Sequence, residues 1–238
     1  ESREAYLIST WQLAPRWSLT AGARYSKVNF DSDDKYLADG QDDSGSVRYD
    51  ETTPALGLSY QWTPTVSVYA AVGKGFETPT AQELAYRPNG SGLNLDLRPS
   101  TADNAEVGFK LRRDRTQIDV ALFHARVDDE IVAGEPQLNT DRSTYANAGK
   151  STRRGLELSV EQQLASSLTG YLAYTWLDAR FDRYINGNGD DLAGNRLPGV
   201  PRHSLYAELA WQPTEQVSTA LEMQSLSQRY ANDDNSAD

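Results

Sequence analysis

Apolar and polar positions alternate with a period of two along most of the chain, so each stretch divides into a greasy face and a hydrophilic one. From Trp17, one face reads Trp17, Leu19, Ala21, Ala23 and Tyr25, and the other Ser18, Thr20, Gly22, Arg24 and Ser26. The same split sets Leu56, Leu58, Tyr60 and Trp62 against Ala55, Gly57, Ser59 and Gln61, and Ala105, Val107, Phe109 and Leu111 against Glu106, Gly108, Lys110 and Arg112. It returns at Leu156, Leu158 and Val160, and at Leu205, Ala207, Leu209 and Trp211. The pattern predicts ten strands, beginning near residues 4, 17, 52, 66, 104, 116, 145, 168, 203 and 217. Several have room for the roughly 9–11 residues of a tilted membrane strand, where soluble strands run to about 5 or 6.

The connections alternate in length. Short turns are predicted at Ala14-Pro15-Arg16, Thr63-Pro64-Thr65, Arg113-Asp114-Arg115, Ala165-Ser166-Ser167 and Pro213-Thr214-Glu215, and long polar loops at about 31–47, 77–101, 133–143 and 182–201. That asymmetry is the one expected of an antiparallel up-and-down transmembrane β-barrel, whose tight turns face the periplasm and whose loops face outside. Trp17, Trp62 and Trp211 all stand beside short turns, as an aromatic girdle at one membrane interface requires. Trp176 and Tyr174 lie toward the other end of their segment. The alternative on pattern alone is a soluble β-sandwich whose strand-end tryptophans are core residues.

Composition narrows the partners. Lys plus Arg number 23 against 34 Asp plus Glu, a formal charge of −11, which argues against a nucleic acid bound by counterion release. Cysteine is absent, so disulfides and thiolate metal sites are excluded while the compartment stays open. No apolar run is long enough for a membrane-spanning helix. The mean hydropathy of −0.64 is compatible with strands that alternate between lipid and a polar lumen.

The stretch Lys74-Gly-Phe-Glu-Thr-Pro-Thr-Ala-Gln-Glu-Leu84 lacks the spacing of a phosphate-binding loop. Thr80 and Glu83 instead have capping-box spacing that would start a short helix, so the stretch reads as a corner. His124 and His203 are the only histidines, and neither belongs to a ligand pair. His124 with Asp128 and Asp129 is the one acid–base combination an enzyme could use; a ten-stranded omptin-type barrel protease is the enzymatic alternative. The aspartates of 31–47 and the Asn186–Asp191 run offer oxygens to calcium, against the plainer reading of solvated loops, and no metal site is assigned. Arg153, Arg154, Arg180, Arg183 and Arg202 gather near the loop ends, where they could meet an anionic ligand, outer-leaflet phosphates or the acidic loops.

Five blocks, in order, resemble the barrel of TonB-dependent outer-membrane receptors. Gly73–Leu84 is similar to that family's Gly-Phe-x-x-Pro-Thr-x-x-Glu-Leu signature, and Leu97–Lys110 to its Leu-x-Pro-Glu-x-Ser-x-Asn-x-Glu-x-Gly-x-Lys, with Ser100 departing from the acid. Tyr145–Glu161, Tyr174–Phe181 and Gly194–Trp211 resemble further strands of the same barrel. The resemblance implies that residues 1–238 form an open partial barrel of about ten strands in the Gram-negative outer membrane, without plug or final strands. It implies active import of a scarce ligand, a ferric siderophore above all, with TonB acting through the missing plug and with outer-membrane lipid and lipopolysaccharide as surroundings. No catalytic residue and no cofactor are expected. A capture surface for an anionic, oxygen-rich ligand needs donors and aromatic faces, and the loops offer Tyr86, Arg87, Arg183, Tyr184 and Arg196.

Overall fold

The computed structural model describes residues 1–40, 42–88, 92–134 and 142–237. Its strands, in chain order, are β1 (Ser2–Ala14), β2 (Trp17–Ser32), β3 (Gly45–Thr63), β4 (Val66–Glu77), β5 (Ser100–Arg113), β6 (Thr116–Asp128), β7 (Ile131–Ala133), β8 (Tyr145–Asn147), β9 (Lys150–Ala165), β10 (Leu168–Arg183), β11 (His203–Thr214) and β12 (Val217–Leu226). Ten of them form a single antiparallel sheet in the order β1-β2-β3-β4-β5-β6-β9-β10-β11-β12, and β7 and β8 make a small separate ribbon. Every strand of the large sheet pairs with its neighbour in sequence apart from the β7–β8 excursion, and β1 and β12 are its two edges. The sheet is therefore open. It is also single, which rules out the sandwich: no second sheet packs against its greasy face among the described residues.

Register supplies the tilt. The cross-strand row Trp17, Tyr60, Val68, Phe109, Val120, Leu158, Tyr174, Leu205, Ser225 crosses the sheet from β2 to β12. It starts at the first residue of β2 and ends eight residues into β12, after eight strand steps. One residue of climb per strand, at about 3.3 Å per residue and 4.8 Å per strand, is an inclination of about 35°. Barrel strands tilt by about that much, and membrane strands need it to carry 12 to 16 residues, as β2, β4, β6, β9 and β10 do.

The same register shows that the greasy faces of separate strands fuse into one surface. Leu19, Leu58, Ala70, Val107, Leu122, Leu156 and Trp176 stand in one row, with Trp11 beyond Leu19. Leu7, Leu56, Leu58, Val72, Val107, Leu122, Leu209, Leu221 and Met223 all lie exposed on this face, a continuous apolar surface far larger than a soluble monomer tolerates. Trp17, Trp62 and Trp211 belong to it, exposed and close to short turns, and Trp11 joins them. β-bulges at Gln12/Ala14, Gln61/Thr63, Leu168/Thr169 and Trp211/Thr214 also sit beside the turns, where an extra residue sharpens the reversal.

The opposite face is polar and packs against itself locally. Tyr69 donates to Glu106 and lies under the Lys110 ammonium, 5.3 Å from the ring centre. Arg112 bonds both oxygens of Asp119 at 2.8 and 2.7 Å. Gly108 is glycine because the Tyr69 ring occupies its side-chain space, 2.2 Å from where a Cβ would stand.

Four expectations need correcting. The third strand begins at Gly45, seven residues before the predicted 52. The seventh segment does not begin at 145: Tyr145–Asn147 pairs with Ile131–Ala133 above the sheet, and the barrel strand starts at Lys150. Only Ala148 and Gly149 separate the two pieces, too short a gap to read as a break in the sequence. The last short turn falls at 215–216, because β11 continues through Pro213 to Thr214. Finally, the box at Thr80 and Glu83 forms, with Thr80 N–H to Glu83 Oε2 at 2.7 Å and Glu83 N–H to Thr80 Oγ1 at 3.3 Å, but it closes one turn and no helix follows. Asn94 N–H bonds the Leu84 carbonyl instead, drawing the chain back onto the loop. Of the anticipated 133–143 loop, residues 135–141 lie outside the described residues, as do 89–91 of the 77–101 loop and 41 of the 31–47 loop.

Candidate functional site at the loop end of the luminal face

The sheet buries almost nothing in its middle; its buried residues gather at the long-loop end. Phe181, 1% exposed, packs with Ala148, Ala179, Tyr184, Leu192 and Leu197. Ala179 and Phe181 alternate with the outward Arg180, so they project from the polar, luminal face of β10. The loop 184–202 folds back over them through backbone bonds: Gly194 N–H to the Phe181 carbonyl (2.7 Å), Leu197 N–H to Ala179 (3.1 Å) and Leu192 N–H to Tyr184 (2.8 Å). The Phe181 and Tyr184 rings lie 4.8 Å apart. Within the loop, Asn186 Oδ1 accepts the N–H groups of Asn188 and Asp190 at 3.0 and 2.9 Å. This is an Asx-type turn, completed by Gly189 at a φ of 89° that a residue with a Cβ rarely adopts.

Residues 227–237 strap this loop. The Asn235 side chain holds Arg196 twice, accepting its N–H at 2.8 Å and donating to its carbonyl at 2.9 Å, while Asn195 Nδ2 donates to the Asp233 carbonyl at 3.1 Å. On the other side stands the 129–149 loop. There Glu130 takes Arg153 Nη2 at 2.5 Å and Ser151 Oγ at 2.5 Å. The loop 78–99 is stitched to it in turn: Asn147 Nδ2 donates to the carbonyls of Arg98 and Asp129, both at 2.9 Å, and Arg98 pairs with Asp129 at 2.7 Å.

Between these loops lies a cavity of about 880 Å³, the size of a small-molecule site. Its wall combines Phe181, Tyr184 and Leu197 with the amides of Asn186 and Asn188 and with Glu130, Arg153, Asp190, Asp233 and Asp234. Burial holds the Asp233 carboxyl above the usual carboxylate range; a hydrogen bond from Tyr184 opposes this and the neighbouring Asp234 charge adds to it. Asp234 moves the other way, held low by the N–H and hydroxyl of Ser236. The cavity can therefore offer aromatic faces, amide donors, one guanidinium and carboxylates of two different basicities. Among the described residues no group of three His, Asp or Glu comes together as a metal cluster.

The five anticipated residues do not converge. Tyr184 lines the cavity. Arg87 gives its Nε to the Leu93 carbonyl at 2.6 Å, and the Tyr86 ring lies under the Arg142 guanidinium at 4.6 Å, so both serve the 78–99 loop, which reaches the cavity through Pro88. The Arg183 carbonyl and Nε crowd Gly149. Arg196 is engaged along its backbone. Phe181 and Asp233 were missed; the first is one of many strand aromatics, and the second acquires its place only from the strap. His124 is outward, opposite Ala105 and Arg154, away from the cavity, and Asp129 is committed to Arg98; the acid–base pair does not assemble.

The comparisons with known proteins agree with this architecture. The family model "TonB dependent receptor-like, beta-barrel" matches residues 1–238. A probable TonB-dependent siderophore receptor, PiuA of Acinetobacter baumannii, is 23% identical over 218 residues, covering 86% of this chain and 28% of that protein. The pesticin receptor of Yersinia pestis is 26% identical over 215 residues, 85% of this chain and 29% of its own length. The crystal structure of PiuA superposes on 99% of this chain and 34% of its own with a TM-score of 0.78 at 19% identity. The chain thus spans less than a third of the curated relatives it matches. The chain belongs to the TonB-dependent receptor family, and its open ten-stranded sheet is part of that family's outer-membrane β-barrel.

Proposed function

We propose that the complete protein imports a ferric siderophore across the Gram-negative outer membrane, with TonB supplying energy through a plug in the lumen. The observation that carries this reading is the loop-roofed cavity at the outer end of the luminal face, where a ligand arriving from outside meets the barrel before any plug. One relative, PiuA, is named a probable siderophore receptor, which supports the ligand class. No bond in the ligand needs to be made or broken at this site, so the role is binding and transport. Tyr184 and Arg153 are the proposed contacts on the cavity wall, one aromatic and one cationic. Tyr86, Arg87, Arg183 and Arg196 remain proposed donors from the surrounding loops. Lipid and lipopolysaccharide of the outer leaflet are the proposed neighbours of the greasy face.

The test is equilibrium binding of catecholate, hydroxamate and carboxylate ferric siderophores to the purified complete receptor. One class should bind in the submicromolar range and lose roughly tenfold or more with Tyr184→Ala combined with Arg153→Gln, a charge-assisted contact being worth about 1.5–3 kcal/mol. Binding of none of the three classes by a heat-modifiable, folded receptor would remove the siderophore reading.

A further inference from the structure

The wall of the loop-roofed cavity is charged with one sign. Among the described residues its ionic side chains are Glu130, Arg153, Asp190, Asp233 and Asp234, with no lysine and no histidine. The single guanidinium is already matched. Arg153 Nη2 stands 2.5 Å from Glu130 Oε1, with both side chains mostly buried, and Nη1 donates to Ser151 Oγ at 3.2 Å. The cations anticipated from the sequence do not make up the difference, because none of Arg87, Arg183 and Arg196 lines the cavity.

Asp190, Asp233 and Asp234 are left over. The first comes from the 184–202 loop and the other two from the strap, so two separate segments bring the same sign to one cavity. Their hydrogen-bond partners are neutral: Asp190 accepts Asn186 Nδ2 at 3.1 Å, Asp234 accepts the Ser236 N–H at 3.0 Å, and Asp233 takes a bond from Tyr184. Burial, with the Asp234 charge added, holds the Asp233 carboxyl above its usual range, as a carboxylate without a cation beside it behaves. Carboxylates of one sign in a partly enclosed cleft focus their field on whatever enters. Ile131, Val132, Pro198 and Val200 supply the apolar part of the wall.

We propose that the cavity selects its iron(III) chelate by charge and takes a cationic one, a linear trihydroxamate with a free ammonium, in preference to the trianionic catecholates. The inference rests on the siderophore reading of this same cavity. Three hydroxamates, each a monoanion, neutralise iron(III), so a free amine on the chain makes the whole complex a cation. Three catecholates, each a dianion, leave a trianion that the three aspartates repel. The ammonium lies among Asp190, Asp233 and Asp234, and the methylene spacers lie on the apolar wall. Arg153, its charge cancelled by Glu130, keeps N–H groups for the chelate oxygens. Selection here comes as much from rejection of the wrong charge as from attraction of the right one.

The experiment changes charge on one skeleton. The purified complete receptor is titrated at low ionic strength with ferric desferrioxamine B, whose amine is free, with its neutral N-acetyl form and with its anionic N-succinyl form. Ferric enterobactin serves as the trianion. Affinity should fall in that order, the succinylated chelate binding about tenfold more weakly than the amine form, and the gap should narrow as salt screens the aspartates. In the Asp190→Asn/Asp234→Asn variant each new side chain keeps an oxygen for the hydrogen bond its carboxylate accepted, and heat-modifiable migration reports the fold. There the gap should close to about threefold or less. Equal or tighter binding of the succinylated form, tighter binding of ferric enterobactin than of the cationic chelate, or an unchanged gap in the folded variant would each overturn the inference and leave the transport reading standing. Binding of no ferric siderophore at all would overturn both.

Discussion

Leu122→Arg isolates the lipid-facing surface in one residue. Leu122 is six positions into β6 from Thr116; at about 3.3 Å per residue and a tilt of about 35°, it stands roughly 16 Å above the turn end. That is near the middle of an apolar band about 25 Å tall, where an outward Arg costs about 2–4 kcal/mol. Leu122 is 51% exposed in the sheet, so the substitution also gives up about 1 kcal/mol of side-chain burial in lipid. The expected total is a loss of about 3–5 kcal/mol. Its neighbour is the control: Ala121 faces the lumen, directly across from Glu157 and two residues from Asp119. Ala121→Arg should therefore be neutral or gain about 0.2–1 kcal/mol from the cross-strand pair. The assay is equilibrium guanidinium unfolding of the complete receptor in lipid bilayers. Equal costs for the two substitutions, or a larger cost at 121, would refute the face assignment and with it every outward residue named above.

Phe181→Ala removes the centre of the loop cluster and should destabilise the 184–202 loop by about 3–5 kcal/mol, seen as faster hydrogen exchange at Leu192, Gly194 and Leu197, while the barrel stays heat-modifiable. Gly155→Ala should lower the melting temperature, because its Cβ would stand 2.4 Å from the Trp176 carbonyl oxygen across β9–β10; an unchanged melt would contradict that packing. Asp233 gives a pH dependence of defined sign. Its folded pKa is raised, so the strap binds more protons than the open chain: its extra stability is complete below the ordinary carboxylate pKa and is lost as pH rises through the folded value. Exchange at the Arg196 amide should accordingly speed up over that window beyond its intrinsic pH trend, and Asp233→Asn should flatten the difference.

Strand positions and facing were readable because lipid on one side and water on the other impose a period of two, which Leu19, Leu58, Val107, Leu122, Leu156 and Leu158 keep on the outward side. Turn positions were readable where Pro15, Pro64 and Asp114 mark them, and slipped at Pro213, which an exposed strand end tolerates. The excursion of β7 and β8 was hidden because only two residues separate Tyr145–Asn147 from Lys150, with no proline between them to mark the break. The site was less legible. Tyr184 could be picked as a loop aromatic, but Phe181 looks like any strand residue until the 184–202 loop folds over it, and Asp233 means nothing until Asn235 ties its segment to Arg196. Conversely, Arg87 was attractive as a cation, and its guanidinium is committed to the Leu93 carbonyl. Loop sites are made by long-range closure, which leaves no periodic trace.

Radioiron accumulation from the bound ferric siderophore should be measured in cells whose sole receptor for it is the complete protein, with and without TonB. Accumulation should proceed only when TonB and the inner-membrane proton gradient are intact, while surface binding at the loop cavity persists in their absence. Equal accumulation with and without TonB would contradict energy-coupled import and leave this barrel segment without the function assigned to it.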